Sequence, residues 1–275
     1  MDLKNKKALV VGLARSGISA ANLLCRLGAR VTITDEKRES ELSENIRKLT
    51  KGISLKLGGH NGVDIAKVDL VVISPGVLWD SPFLNRIREN GIRIISEVEL
   101  AFKYIKAPLI AVTGTNGKTT TTTLIGEMLK KDDRNVFVGG NIGNPMCEEV
   151  LNGSSSELIL SEISTFQMEG IETFKPHISV ILNITPDHMD RHKSMAEYIA
   201  LKKRVFINQN TRDYTVFNMD DKITAALSNE GKGERIFFSR IREVDNGAFV
   251  RGNNIIFRRN RKEEIVSTLK DLKII

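Results

Sequence analysis

The sequence predicts an α/β fold in two domains, each a parallel sheet wound with helices, and three observations predict it. Strand-sized apolar runs alternate with helix-patterned stretches along most of the chain. Two glycine loops, at 12–17 and 114–117, each lie between such a run and a helix. A length of 275 residues exceeds one average domain and suits two, each with its own core.

In the first domain the apolar runs place strands at Ala8–Val11, Val31–Thr34, Leu70–Ser74 and Arg93–Ile95. Between the first two, Ile18–Leu27 repeats apolar residues at helical spacing and stops at Gly28. The stretch from Lys103 to Pro108 breaks the rhythm, and Pro108 biases Ala107 away from helix, so the domains are expected to be 1–106 and 107–275. A second series follows at once. Strands are expected at Leu109–Val112, Val136–Val138, Leu158–Leu160, Ile178–Leu182 and Tyr214–Phe217, with helices at Lys118–Lys131 and Met195–Ile207. From Arg235 the pattern turns to short strands with turn signals at Asn246-Gly247 and Gly252-Asn253-Asn254.

Composition narrows the setting. With 41% hydrophobic and 27% charged residues the chain reads as folded and soluble, without a disordered tract. Apolar runs such as Leu70–Ile73 are far too short to span a membrane, and the start Met-Asp-Leu-Lys carries no signal-peptide pattern. A cytoplasmic protein with no membrane partner is the expectation. Cys25 and Cys147 lie among helix-type apolar residues and read as reduced, buried thiols. The net charge is +7, and the stretch from Lys232 to Lys273 holds eleven Lys/Arg against six Asp/Glu. Such a bias fits a nucleic-acid surface, a solvated face of short strands, or a face meeting another domain or anionic nucleotides; no nucleic-acid motif accompanies it.

The second glycine loop carries the sharpest chemistry. After an apolar strand, Gly114-Thr115-Asn116-Gly117 turns into a helix that opens at Lys118, so backbone N–H groups and the helix N-terminus can converge on phosphate oxygens. Lys118 would supply a point charge for the terminal phosphates of ATP, and Thr119, followed by Thr120, a hydroxyl for Mg²⁺. The general phosphate-loop pattern wants glycine five residues before Gly117, where this chain has Val112. The first loop, Gly12-Leu13-Ala14-Arg15-Ser16-Gly17, occupies the place of a dinucleotide fingerprint but has Ala14 at the middle glycine, with Asp35 ending the next strand. A nicotinamide dehydrogenase, a purely structural turn and a nucleoside-diphosphate site all fit these residues, the last best beside an ATP loop.

Three further segments supply polar groups directly after apolar strands: Gly139-Gly140-Asn141-Ile142-Gly143, Ser161-Glu162-Ile163-Ser164-Thr165-Phe166-Gln167 and Asn183-Ile184-Thr185-Pro186-Asp187-His188-Met189-Asp190. Glu162 could hold a hard divalent cation, and His188 could serve a second one or handle protons. Each has a plainer reading, as a surface or capping carboxylate and a satisfied polar histidine. Taken by side-chain physics alone, Lys202 is a solvated helix lysine.

As an ordered set these segments, with Ser74-Pro75-Gly76 and Tyr198-Ile199-Ala200-Leu201-Lys202, resemble the Mur ligase family, and within it the branch that adds D-glutamate to UDP-N-acetylmuramoyl-L-alanine. The likeness runs the length of the chain, and the short form of the phosphate loop belongs to this superfamily. The resemblance implies a Rossmann-like UDP-binding domain followed by a P-loop ATPase-type central domain. It implies that Ser16, Asp35, Lys37, Ser74, Pro75 and Gly76 hold the UDP part, although Glu36-Lys37 stand where relatives often have Thr-Arg. It implies that Lys118 and Thr119 engage ATP and Mg²⁺ with Glu162 as a further metal ligand, and that Asn141, Ser164 and Gln167 position the muramoyl end. His188 and Lys202 would serve a second Mg²⁺, the lysine as its carbamate. The implied partners are ATP, UDP-N-acetylmuramoyl-L-alanine and D-glutamate, for a monomer without nucleic acid. Relatives continue into a third domain, so the chain alone is expected to turn over poorly. Another ligase of the superfamily and a non-catalytic nucleotide-binding module remain the alternatives.

Overall fold

The computed structural model describes residues 1–272. Its first half runs β1 (Lys7–Val11), α1 (Arg15–Arg26), β2 (Arg30–Asp35), α2 (Ser43–Ile46), β3 (Ser54–Leu57), β4 (Leu70–Ile73), α3 (Pro82–Glu89), β5 (Ile94–Ser96) and α4 (Glu97–Phe102). There follow β6 (Leu109–Thr113), α5 (Lys118–Lys131), β7 (Val136–Gly140), α6 (Met146–Leu151), β8 (Leu158–Glu162), α7 (Thr165–Met168), β9 (Ile178–Ile181) and α8 (Met195–Lys203). Last come β10 (Tyr214–Asn218), α9 (Lys222–Leu227), β11 (Glu234–Ser239), β12 (Gly247–Arg251), β13 (Asn254–Arg259) and β14 (Lys262–Thr268). The α/β class holds. Every strand expected from the apolar runs is present within a residue or two, while the helix expected at Met195–Ile207 ends earlier, at Lys203.

The chain forms two compact units, residues 1–108 with 126–174, and residues 109–125 with 175–275. In the first unit a parallel sheet has the order β3-β2-β1-β4-β5. The strand β4 reads Leu-Val-Val-Ile and is buried throughout, as a strand covered on both faces requires. One face of α1 closes over the sheet, with Ile18, Ala20, Ala21, Leu23 and Leu24 buried, and α1, α4 and α6 pack on one another. The chain winds from β1 outward to β3, then returns to β4 on the other side of β1. The carboxyl ends of β1 and β4 therefore flank a switch point, where an open parallel sheet leaves a crevice. In the same unit β7 and β8 pair in parallel.

The second unit is built on β6, β9, β10, β11 and β12, each parallel to the next, extended by the antiparallel pairs β12–β13 and β13–β14. Asn246-Gly247, read from sequence as a turn signal, does not join a hairpin, because β11 and β12 run parallel and Gly247 opens β12. Its backbone lies against Phe237, with φ of 140°, so that an added Cβ would stand 1.8 Å from the Phe237 carbonyl oxygen. The true hairpin turns are Gly252-Asn253, with Asn254 already in β13, and Asn260-Arg261, whose φ values of 51° and 64° suit the twist of the strands. On this ribbon Arg251 and Arg258 both bond to Glu243 and Glu263 and lie over the Phe249 ring, 5.3 and 4.7 Å from its centroid. Those arginine bonds hold the Glu243 carboxyl down to about 2. A solvated, ion-paired face accounts for these arginines. Among the described residues no helix is long and apolar enough to cross a membrane.

Gly247→Ala is expected to cost about 3 kcal/mol or more, or to prevent folding, through its clash with Phe237. Gly52→Ala, also at positive φ but with open space around it, should cost only about 1–2 kcal/mol. Urea unfolding compares them, and equal losses would refute the steric argument.

Candidate functional site

At the switch point of the first unit lies a cavity of about 710 Å³, lined by the loop from Gly12 to Ser16, by Asp35 to Lys37, and by Ser74 to Leu78. The loop is built by close approach. A Cβ on Gly17 would stand 1.9 Å from the Gly12 carbonyl oxygen, and the Ser74 hydroxyl donates to that same oxygen at 2.9 Å. Asp35 fixes the cavity wall, one carboxylate oxygen accepting from Leu13 N at 2.7 Å and the other from Lys37 N at 2.9 Å. Its carboxylate thus shapes the loop, leaving only its remaining lone pairs for a ligand. Ser16, Lys37, Pro75 and Gly76 line the same cavity, so the first-domain residues singled out from sequence do converge. The α1 N-terminus, whose first turn has no acidic residue and no side-chain cap, borders it through Arg15 and Ser16 and turns the positive end of the helix dipole toward it.

Asn141, Glu162, Ser164 and Gln167 gather elsewhere in this unit. Glu162 ends β8 and is buried; its backbone carbonyl accepts from Asn141 N at 2.8 Å and its carboxylate from Asn141 Nδ2 at 2.7 Å. The Asn141 loop is pinned further by Arg15, which donates to Gly143 O at 3.0 Å, and by Glu97, which accepts from Cys147 N at 2.6 Å. Burial raises the Glu97 carboxyl to about 7, the Cys147 N–H opposing it. Ser164 and Gln167 engage each other as a capping box at the start of α7, with Ser164 N donating to Gln167 Oε1 at 2.9 Å.

The second unit holds the phosphate-type loop. Thr115 is its keystone: the hydroxyl donates to Thr185 O at 3.1 Å and accepts from Thr185 N at 3.0 Å, with Tyr198 Oη 3.1 Å away. Asn183 clasps Asn116, accepting from its N–H at 2.8 Å and donating to its carbonyl at 3.0 Å. The Lys118 ammonium folds back onto Thr115 O at 2.8 Å. Thr119 and Thr120 follow it in the first turn of α5.

Lys202 departs most from the side-chain expectation. On α8 it is 2% exposed, its Nζ donates to Gly114 O at 2.8 Å, and it lies 4.7 Å from the Tyr198 ring centroid. Burial, then the positive charge of Lys118, pulls the amine down to about 7, against a weaker pull from Asp187. His188 sits at φ of 51°, half exposed, with Nε2 3.6 Å from Asp187 Oδ2. Among the described residues no three His, Cys, Asp or Glu side chains cluster as a ready-made metal cage. The Thr119 hydroxyl in the second unit and the Glu162 carboxylate in the first are each a hard oxygen donor of the kind Mg²⁺ takes.

Sequence reading missed Asn183 and Asn218 as supports of the loop. Asn218 ends β10 and donates through Nδ2 to Leu182 O at 2.8 Å. A polar residue closing an apolar strand is the signal both share.

A sequence profile of the Mur ligase middle domain matches residues 112–274, more than half of the chain. The chain belongs to the Mur ligase family. A second profile, the Mur ligase MurD-like N-terminal domain, matches residues 6–96. A Geobacter metallireducens protein named UDP-N-acetylmuramoylalanine–D-glutamate ligase is 45% identical over 272 residues, which cover 98% of this chain and 60% of that protein. A Clostridioides difficile protein of the same name is 43% identical over 258 residues, 93% of this chain and 57% of its own length. This Mur ligase chain thus spans about three-fifths of such relatives. The crystal structure of UDP-N-acetylmuramate:L-alanyl-gamma-D-glutamyl-meso-diaminopimelate ligase from Neisseria meningitides shares the fold, with a TM-score of 0.56 at 16% identity over 94% of this chain and 86% of that one.

Tyr198→Phe is expected to cost about 1 kcal/mol by removing the hydroxyl beside Thr115, lowering Tm by about 2–4 °C. Calorimetry checks this, and an unchanged Tm would show that the hydroxyl does not hold the loop.

Proposed function

We propose that this chain serves an ATP-dependent ligase that joins D-glutamate to UDP-N-acetylmuramoyl-L-alanine in peptidoglycan precursor synthesis, in the cytoplasm and as a monomer. One observation carries the reading: a phosphate-type loop whose lysine, Lys118, stands beside a second, buried lysine amine, Lys202, with a nucleotide-sized crevice formed by the first unit's own loop. In domain terms, residues 1–106 would bind the UDP part and residues 107–275 the ATP. Ser16, Asp35, Lys37 and Ser74-Pro75-Gly76 fit the first role, since the cavity gathers them. Asn141, Ser164 and Gln167 would meet the muramoyl end, Gln167 and Ser164 by giving up part of their capping box.

In the proposed reaction a substrate carboxylate oxygen attacks the γ-phosphorus of ATP, the bond to ADP breaks, and an acyl phosphate forms. The D-glutamate amine then attacks the acyl carbon, phosphate leaves, and the amine's extra protons pass to solvent or a base. Both partners are anionic, so the protein's task is to gather positive charge and hold the line of attack. Lys118 and the loop N–H groups do so at the phosphates. Thr119 and Glu162 would each offer an oxygen to Mg²⁺, and His188 with a carbamylated Lys202 would serve a second ion; the metal charge would neutralise phosphate during transfer.

The Lys202 environment supports that carbamate. Carbon dioxide adds to a neutral amine, whose lone pair forms the N–C bond as a proton is released, and an amine lowered to about 7 is half neutral near physiological pH. Because its pKa is depressed, the neutral fraction rises as pH climbs through 7. With ¹³C-bicarbonate, a carbamate carbon resonance is therefore expected in the wild type, growing between about pH 6 and 8. A signal equal in Lys202→Arg would reject this assignment.

The reaction is tested in a chimera in which this chain replaces the matched 272 residues of the Geobacter metallireducens ligase. Phosphate release should require ATP, UDP-N-acetylmuramoyl-L-alanine and D-glutamate together. Lys118→Ala should lower it by at least about a thousandfold. Release without D-glutamate, or undiminished in Lys118→Ala, would defeat the proposal.

A further inference from the structure

We propose that Glu97 holds the Asn141 loop as a neutral carboxylic acid and lets it loosen on ionisation, a pH-sensitive clasp between α4 and α6. The clasp stands on the first unit alone. Only its meaning for substrate binding rests on the reading of Asn141 as a contact for the muramoyl end.

The start of α6 has no cap of its own. Pro145 stands at its N-cap position, with no hydroxyl or carboxylate to offer the first-turn N–H groups, and no side-chain cap bond forms there. Glu97, 50 residues earlier, supplies the missing acceptor: its Oε1 takes the N–H of Cys147, the second residue of α6, at 2.6 Å. The Cys147 thiol makes a return contact, with Sγ 3.6 Å from the Glu97 carbonyl oxygen. Immediately before this helix runs the Asn141 loop. Gly140 N donates to Asn144 O at 2.8 Å, Asn141 is bonded to Glu162, and Arg15 reaches Gly143 O. The loop then enters α6 through the turn that Glu97 caps.

The carboxyl is poorly placed to carry a charge. Glu97 is fully buried, and among the described residues its Oε2 has no hydrogen-bond partner. A bare oxygen costs far less on a neutral acid than on an anion. The titratable groups on the surrounding elements do not offset that charge. From α6 come the Cys147 thiol, which burial keeps protonated, the like charge of Glu148, and Glu149, whose Oε1 accepts from Ser156 N at 3.0 Å. From α1 come Cys25 and two arginines, Arg15 and Arg26, each bonded to a backbone carbonyl. Glu99 of α4 is bonded to Thr173 and Lys103, and β4 and β5 bring no titratable side chain. Desolvation therefore outweighs the Cys147 N–H, and the carboxyl is raised to about 7. Because the folded state holds this proton more tightly than the unfolded chain does, the clasp contributes fully below the usual carboxylate range and is lost as pH rises through about 7. Ionisation leaves a buried anion with one oxygen bare, a cost relieved when the start of α6 shifts and admits water.

The experiment is a pH series by NMR on the chain carrying ¹³C in its glutamate carboxyls. One resonance, absent in Glu97→Gln, is expected to titrate with a midpoint at about 7. In the same series, protection of the Cys147 amide against hydrogen exchange, taken relative to the β4 amides, should fall by about tenfold between about pH 6 and 8. Glu97→Gln keeps an oxygen for the Cys147 N–H and cannot ionise, so its ratio should stay constant within about twofold. If that variant fails to fold, through-bond assignment identifies the Glu97 carboxyl in the wild type, and the β4 reference keeps both readouts decisive. A Glu97 midpoint below about pH 5 would overturn the neutral acid. A midpoint near 7 with an unchanged Cys147 ratio in the wild type, or an equal fall in Glu97→Gln, would overturn the release. Each of these failures leaves the ligase reading where it stood, since no nucleotide or substrate enters the measurement.

Discussion

The second unit depends on one hydrogen bond in a place where lysine is rarely tolerated, between the buried Lys202 amine and the carbonyl of Gly114. An isolated ammonium is costly away from water, and the protein meets that cost by lowering the amine's basicity and supplying an acceptor and an aromatic face. The bond joins α8 to the first residue of the phosphate loop. One turn earlier on the same helix, Tyr198 reaches Thr115, so two side chains at i and i+4 grip consecutive loop residues. Loop geometry is thereby set by a helix more than eighty residues away in sequence.

The first unit solves a like problem with a carboxylate. Asp35 draws the N–H groups of Leu13 and Lys37 onto its two oxygens and so fixes the spacing of the two loops that line the cavity. A residue read from sequence as a ligand grip proves to be a brace as well. Glu162 has a similar double character, holding Asn141 through both its backbone and its carboxylate. In both units the strand ends carry polar groups that organise the backbone before any ligand arrives, which is what preorganised binding requires.

The sequence made the strands, the two glycine loops and the α/β class legible because each is a local pattern: an apolar run, then small residues, then a helical period. What escaped was non-local. β3, which reads Ser-Leu-Lys-Leu, is only half buried at the sheet edge and leaves no strong apolar signature. Asn246-Gly247 has the composition of a hairpin, yet the parallel partnership of β11 and β12, invisible at that range, turns it into a strand start. Asn260-Arg261 makes the real hairpin without a glycine. Among site residues, Lys118 could be placed from its loop alone, whereas Lys202 looks like any solvated helix lysine until tertiary packing buries it. Its neighbours on α8 are mixed polar and apolar, so the helix has no clear stripe to mark which face turns inward.

The contact with Gly114 uses a single N–H of the Lys202 nitrogen. An alkyl carbamate keeps one N–H, so the proposed modification would reverse the sign of charge at this nitrogen's end while the same donor still served the same carbonyl. The lock on the loop and the electrostatics of the site would then be separable properties of one side chain. A side chain of that kind would gain a metal-binding end while its hydrogen bond to Gly114 and the backbone around it stayed in place.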